Sequence, residues 1–121
     1  MSLKICLVGS QRSGKTRFAQ SLGVIRDNDF FYKDEYQPTL GVNLDLVTFQ
    51  DTLIDLWDIG SIYLGEGKAY TNGAHGILLF HDNENTPPPF SIPQGIPVID
   101  IFPNQNDENP MITLLNLINA N

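Results

Sequence analysis

Gly9-Ser10-Gln11-Arg12-Ser13-Gly14-Lys15-Thr16 is the stretch whose reading decides the fold. It meets the phosphate-loop pattern G-x-x-x-x-G-K-[ST] at every fixed position. Upstream, Leu3-Lys4-Ile5-Cys6-Leu7-Val8 is a short apolar run of strand length. Downstream, Arg17-Phe18-Ala19-Gln20-Ser21-Leu22 places Phe18 and Leu22 four apart, on one face of a helix. Strand, glycine loop and helix, in that order, are the context the motif needs. Gly9 and Gly14 let the backbone turn so that successive N–H groups converge on phosphate oxygens. The helix N-terminus adds partial positive charge. Lys15 is expected to be an exposed charge in the empty loop, reaching the β- and γ-phosphates of a bound nucleotide, and the Thr16 hydroxyl to bind Mg²⁺. Gly9, Gln11, Arg12, Ser13, Gly14, Lys15, Thr16 and Arg17 are the candidate phosphate-side contacts.

The rest of the chain supplies the sheet. Arg26 to Tyr36 is polar and aromatic and reads as a surface loop. Val42-Asn43-Leu44-Asp45-Leu46 alternates as a strand with one wet face. Gln50-Asp51-Thr52 is a turn, and Leu53 to Asp58 is the partner strand; so short a gap permits only an antiparallel hairpin. Asp58, ending an apolar strand, stands where a phosphate-loop enzyme places its acidic Mg²⁺ partner. Ile59 to Asn72 holds Gly60, Gly65 and Gly67, so any helix there is short, each interior glycine costing about 1 kcal/mol relative to alanine. Ala74 to Phe80 and Ile96 to Phe102 are two further strands. Asn109-Pro110 is a cap and first-turn proline opening a helix over Met111 to Ala120. The order predicts an α/β fold with a five-stranded, mostly parallel sheet and one antiparallel edge hairpin, in a single domain over residues 1–121.

Composition narrows the partners. Fourteen acidic against seven basic side chains give a net charge of −7, which argues against nucleic acid or an anionic membrane surface. With one cysteine, Cys6, no disulfide forms within the chain. There is no signal peptide, no bilayer-length apolar run and no C-terminal prenylation cysteine, so the expected location is the cytoplasm, without a direct membrane anchor. His75 and His81 lack a metal-ligand companion in sequence and are not proposed as ligands.

Over roughly residues 3 to 107 the chain resembles the small GTPases of the Ras, Rab, Ran and Arf superfamily, a branch of the P-loop NTPases. Beyond the phosphate loop, Tyr36-Gln37-Pro38-Thr39-Leu40-Gly41-Val42 is similar to switch I, which implies that Thr39 binds Mg²⁺ when a γ-phosphate is present. Leu56-Trp57-Asp58-Ile59-Gly60 looks like the start of switch II. Tyr70 to Leu79 is close to the corresponding strand of Rab proteins, and the chain as a whole looks Rab- or Ran-like. Asn104-Gln105-Asn106-Asp107 falls where the family has its guanine-reading Asn-Lys-x-Asp. The resemblance implies GTP or GDP with Mg²⁺ as ligands. Asp107 would accept from the N1–H and exocyclic amine of guanine, a donor pair adenine lacks. Asn104 would orient that loop, and Tyr32 would pack on the base or, equally, lie over the core.

The departures from the family pattern carry as much weight. Gly60 is followed by Ser61, Ile62 and Tyr63, with no glutamine to orient the attacking water. Gln11 stands where Ras needs glycine for efficient hydrolysis. Arg12 reads as a solvated arginine or as one swinging to the γ-phosphate, where it would be worth about 10³–10⁵ in rate. Ser61 is the other candidate catalytic group, beside Lys15 and Thr39. Gln105 replaces the lysine whose stem lies across the base, and the family's last strand is expected to be absent. Asn83 to Gly95, with four prolines, leaves no room for the helix between the last two strands. One face of the sheet is therefore expected to be bare and to attract a second copy or another partner. The implied function is a minimal guanine-nucleotide switch with slow intrinsic hydrolysis, its partners reading the Tyr32–Val42 and Gly60–Tyr70 loops. The alternative is a pseudo-GTPase, a binding or structural subunit with its nucleotide fixed or absent.

Overall fold

The computed structural model describes residues 2–9, 14–23, 42–59, 67–83, 87–88, 90–103 and 109–120. In chain order the elements are β1 (Leu3–Gly9), α1 (Lys15–Ser21), β2 (Val42–Phe49), β3 (Thr52–Ile59), a 3₁₀ helix (Gly67–Thr71), β4 (Gly76–Phe80), β5 (Val98–Ile101) and α2 (Pro110–Asn119). The five strands form one sheet in the order β2-β3-β1-β4-β5. Only β2 and β3 are antiparallel, paired without a bulge from Val42↔Ile59 to Phe49↔Thr52. The expected sheet is therefore the observed one.

Handedness settles which face each connection covers. The chain steps one way from β1 to β3 and the other way from β3 to β4 and on to β5. Right-handed crossovers then send α1 to one face and both later connections to the opposite face. Packing agrees. Ile5, Leu7, Ile54, Leu56, Leu78 and Phe80 meet Ala19 of α1 and Met111, Leu114 and Leu115 of α2. Phe18 and Leu22, the pair four apart, pack against the same core, and Phe18 lies edge-on to Phe80 at 5.5 Å. Asn109 caps α2 as expected, its Oδ1 accepting from Met111 N at 2.9 Å. That helix sits so close to β4 that a Cβ on Gly76 would lie 2.8 Å from Leu114 Cδ1.

The expectation of a bare opposite face is corrected. Cys6, Val8, Ile59, Ile77 and Leu79 are buried there beneath Tyr70, Ala74, Phe90, Ile92 and Ile96. No helix lies between β4 and β5 among the described residues. The cover is instead a proline-stiffened segment whose apolar residues turn onto the sheet, because burying three such side chains is worth several kcal/mol whatever backbone carries them. Apolar exposure has moved to the hairpin edge, where Leu44 and Leu46 are 60% and 64% exposed.

Candidate nucleotide site

Because β1 sends its connection to the face opposite to that used by β3 and β4, the carboxyl end of β1 is a topological switch point. Ligands of open α/β sheets bind in such a crevice. Gly9 closes β1, buried and paired with Phe80 of β4, while Leu7 pairs with Asp58 of β3. Gly14 caps α1 at φ 96°, ψ 6°, a left-handed backbone that strains any residue with a Cβ. Its carbonyl accepts the first helical bond from Phe18 N at 2.9 Å.

Lys15 follows as the first residue of α1, and its side chain turns inward. Its Nζ donates to the Ile59 carbonyl at 2.7 Å and lies 3.8 Å from Asp58 Oδ1. The residue is 9% exposed and Asp58 1%. Burial pushes the Lys15 ammonium below its ordinary range, and the Asp58 carboxylate partly offsets this. The sequence implies an exposed lysine in the loop, and the structure corrects that. The end of β3 brings a carbonyl and a carboxylate within reach of the flexible stem, and the buried cation hydrogen-bonds the first and pairs electrostatically with the second.

The arrangement has relatives among solved structures, although no family model matches the sequence. The Arl6 BBS3 small GTPase from Trypanosoma brucei, solved with the nucleotide analogue GppNp, superposes with a TM-score of 0.51 at 16% identity. That match covers 66% of this chain and 43% of the other, so the chain spans less than half of that relative. A chain of the T. brucei IFT22/74/81 assembly, crystallised GTP-bound, matches with a TM-score of 0.59 and 20% identity, covering 99% of this chain and 96% of that one. The fold is that of a small GTPase.

Within the small-GTPase fold the structure brings Gly9, Gly14, Lys15 and Asp58 to the carboxyl edge of β1 and β3. Thr16 is the second residue of α1, and Arg17 is exposed. Ser10, Gln11, Arg12, Ser13, Tyr32, Thr39, Gly60, Ser61, Asn104, Gln105 and Asp107 lie outside the described residues, as does the side chain of Thr16. The elements that flank residues 104–107 are described: β5 ends at Ile101 and α2 begins at Pro110.

Sequence reasoning missed two groups here. The Ile59 carbonyl is a backbone acceptor and leaves no trace in residue types. His81 Nε2 meets Asp100 Oδ1 at 2.8 Å, and the imidazole stacks on Phe102 at 4.4 Å between centroids. Asp100 pairs with Leu79 across β4 and β5, so a correct strand register would have put these two side chains within reach of each other. Among the described residues no three His, Cys, Asp or Glu side chains gather to hold a metal, and no helix is long and apolar enough to cross a membrane.

Proposed function

We propose that this chain binds guanine nucleotide with Mg²⁺ and acts as a molecular switch whose own GTP hydrolysis is slow. The observation that carries the reading is the buried Lys15–Asp58 pair behind a left-handed Gly14, at the carboxyl ends of β1 and β3. An ammonium held there by one carbonyl can exchange that acceptor for phosphate oxygens by small rotations of its own stem. Asp58 supplies the hard carboxylate oxygen that suits Mg²⁺, and the hydroxyls of Thr16 and Thr39 would complete the protein's share. Mg²⁺ would neutralise charge developing on the phosphates. Thr39 and Gly60 would answer to the γ-phosphate as switch positions, and partners would read the Tyr32–Val42 and Gly60–Tyr70 loops.

With Ser61 after Gly60 and Gln11 in the loop, positioning of water is weak, and positioning with charge stabilisation is nearly all the catalysis this reaction has. Single-turnover hydrolysis is expected at or below about 10⁻⁴ s⁻¹. Arg12 and Ser61 are the groups to test by alanine substitution should turnover be faster. The pseudo-GTPase reading draws on one observation: the chain itself supplies Lys15 with an acceptor, the Ile59 carbonyl, and a counter-charge, Asp58. Calorimetric titration with GTP, GDP and ATP in the presence of Mg²⁺ separates the readings. Tight guanine binding, lost in Lys15→Ala with circular dichroism unchanged, supports the switch. No binding of any nucleotide supports the structural subunit, and equal binding of ATP removes the guanine assignment.

A further inference from the structure

An edge strand that stays monomeric usually carries a defence: a lysine, a proline, a bulge, or a covering segment. Among the described residues β2 shows none of these. Its eight residues, Val42 to Phe49, contain one charge, Asp45, and no lysine or proline. Its register with β3 runs unbroken through all eight pairs. It is the outermost strand on its side of the sheet. Leu44 and Leu46 project from it to one face and are 60% and 64% exposed, too open to be serving this chain's own core. On that face they adjoin Trp57, the cross-strand partner of Leu44, which is itself only half-buried. Lys4 lies 3.8 Å over the Trp57 ring.

We propose that β2 pairs antiparallel with β2 of a second copy of this chain, about a two-fold axis at Leu44, to make one continuous ten-stranded sheet. A two-fold interface brings the same patch of each copy together, so a self-complementary strand is what it requires. Three registers keep the leucines in the interface, and the sequence discriminates among them. An axis at Asp45 sets Leu44 against Leu46 twice but Val42 against Thr48 at both ends, leaving two apolar pairs. An axis at Leu46 sets Asp45 against Val47 and Leu44 against Thr48, spending both apolar and polar matches. The axis at Leu44 sets Leu44 against Leu44 and Val42 against Leu46 twice over. Of the three, this register alone keeps three apolar pairs in one unbroken ladder. This dimer does not rest on the nucleotide reading, since neither Leu44 nor Leu46 belongs to the proposed site.

The test uses the whole chain with two measurements. Light scattering at 100 μM protein is expected to give twice the 13.5 kDa chain mass, falling to the monomer mass in Leu46→Lys and in Leu44→Lys, each with unchanged circular dichroism and melting temperature. The register is read by single cysteines under a mild copper–phenanthroline oxidant, with the buried Cys6 as internal control. Opposed residues of an antiparallel pair lie about 4.5–5.5 Å apart between Cα atoms, inside the window for a disulfide. Leu44→Cys therefore cross-links to a dimer, whereas Leu46→Cys, about 13 Å from its own copy at 3.3 Å per residue, does not. A parent that is monomeric at 100 μM, or a dimer that survives both lysine variants, overturns the proposal. Cross-linking by Leu46→Cys in preference to Leu44→Cys overturns the register and the apolar ladder behind it.

Discussion

Gly76→Ala is the most direct probe of how the terminal helix is held. The new Cβ would stand 2.8 Å from Leu114 Cδ1 and 3.0 Å from both Cδ2 and Cγ. Distances under 3.0 Å force something to move. Leu114 has little freedom to do so, being 0% exposed with Met111 and Leu115 beside it in the same core. Over-packing of this kind costs about 1–3 kcal/mol. At about 4 °C per kcal/mol for a domain of this size, the melting temperature should fall by roughly 4–12 °C. Leu114→Ala alone should cost about 2–5 kcal/mol through the cavity it leaves. In the double variant the added methyl partly fills that cavity, so the two losses should fall short of their sum by about 1 kcal/mol or more. Urea denaturation of the four proteins at one temperature reads all three quantities. Strict additivity, or a Gly76→Ala variant as stable as the parent, would refute the packing of α2 on β4.

Three further outcomes are expected. Burial lifts the Cys6 thiol to about 11 from 9.0, with Lys4 acting slightly the other way. A thiol whose folded pKa is raised contributes stability that is intact below pH 9 and lost as pH rises from 9 to 11, on the order of 2–3 kcal/mol. The stability difference between parent and Cys6→Ala, measured by urea from pH 8 to 11, should therefore shrink across that window; a flat difference contradicts the buried thiol. Gln50 and Asp51 join β2 to β3 at φ 49° and 65°, so the double change Gln50→Asn with Asp51→Gly, which suits a two-residue turn of positive φ, should raise stability by about 1 kcal/mol in a thermal melt. A lower melting temperature would contradict that turn geometry. If Asp107 reads the base as proposed, Asp107→Asn should weaken GTP binding and improve xanthosine triphosphate, read by competition titration; unchanged preference would refute that proposed role.

The parts of the fold that were legible in the sequence are those set by local chemistry. The apolar run before Gly9 is β1, the hairpin follows from a turn too short for a crossover, and Asn109-Pro110 opens α2. Boundaries shifted where pairing outruns composition: β2 continues past Leu46 to Phe49 because Thr48 and Phe49 still face Leu53 and Thr52. β5 starts later than Ile96, with Pro97 contributing only its carbonyl, to Ile77 N at 2.9 Å. Two features escaped, for different reasons. Phe90, Ile92 and Ile96 are scattered among prolines without helical or strand periodicity, so nothing local marks them as a cover. The inward turn of Lys15 depends on a carbonyl 44 residues away in sequence, and side-chain pattern does not report backbone positions. Of the candidate site, the structure places Gly9 at the end of β1, Gly14 at the start of α1, and Lys15 3.8 Å from Asp58 at the end of β3.

The cover between β4 and β5, which has no helix among its described residues, has a consequence for assembly of the domain. A helix can begin to form from its own neighbours before it meets a sheet. Phe90, Ile92 and Ile96 have no such head start, because what fixes them is contact with Cys6, Val8, Ile77 and Leu79. Those four residues lie on two adjacent parallel strands, β1 and β4. The cover must therefore wait until a long-range parallel pair exists, the kind of contact whose loop closure is slowest to be repaid. Until then the central strands present an uncovered apolar face, so the proline segment works as a late seal and the interval before it closes is when the chain is most open to sticking to another.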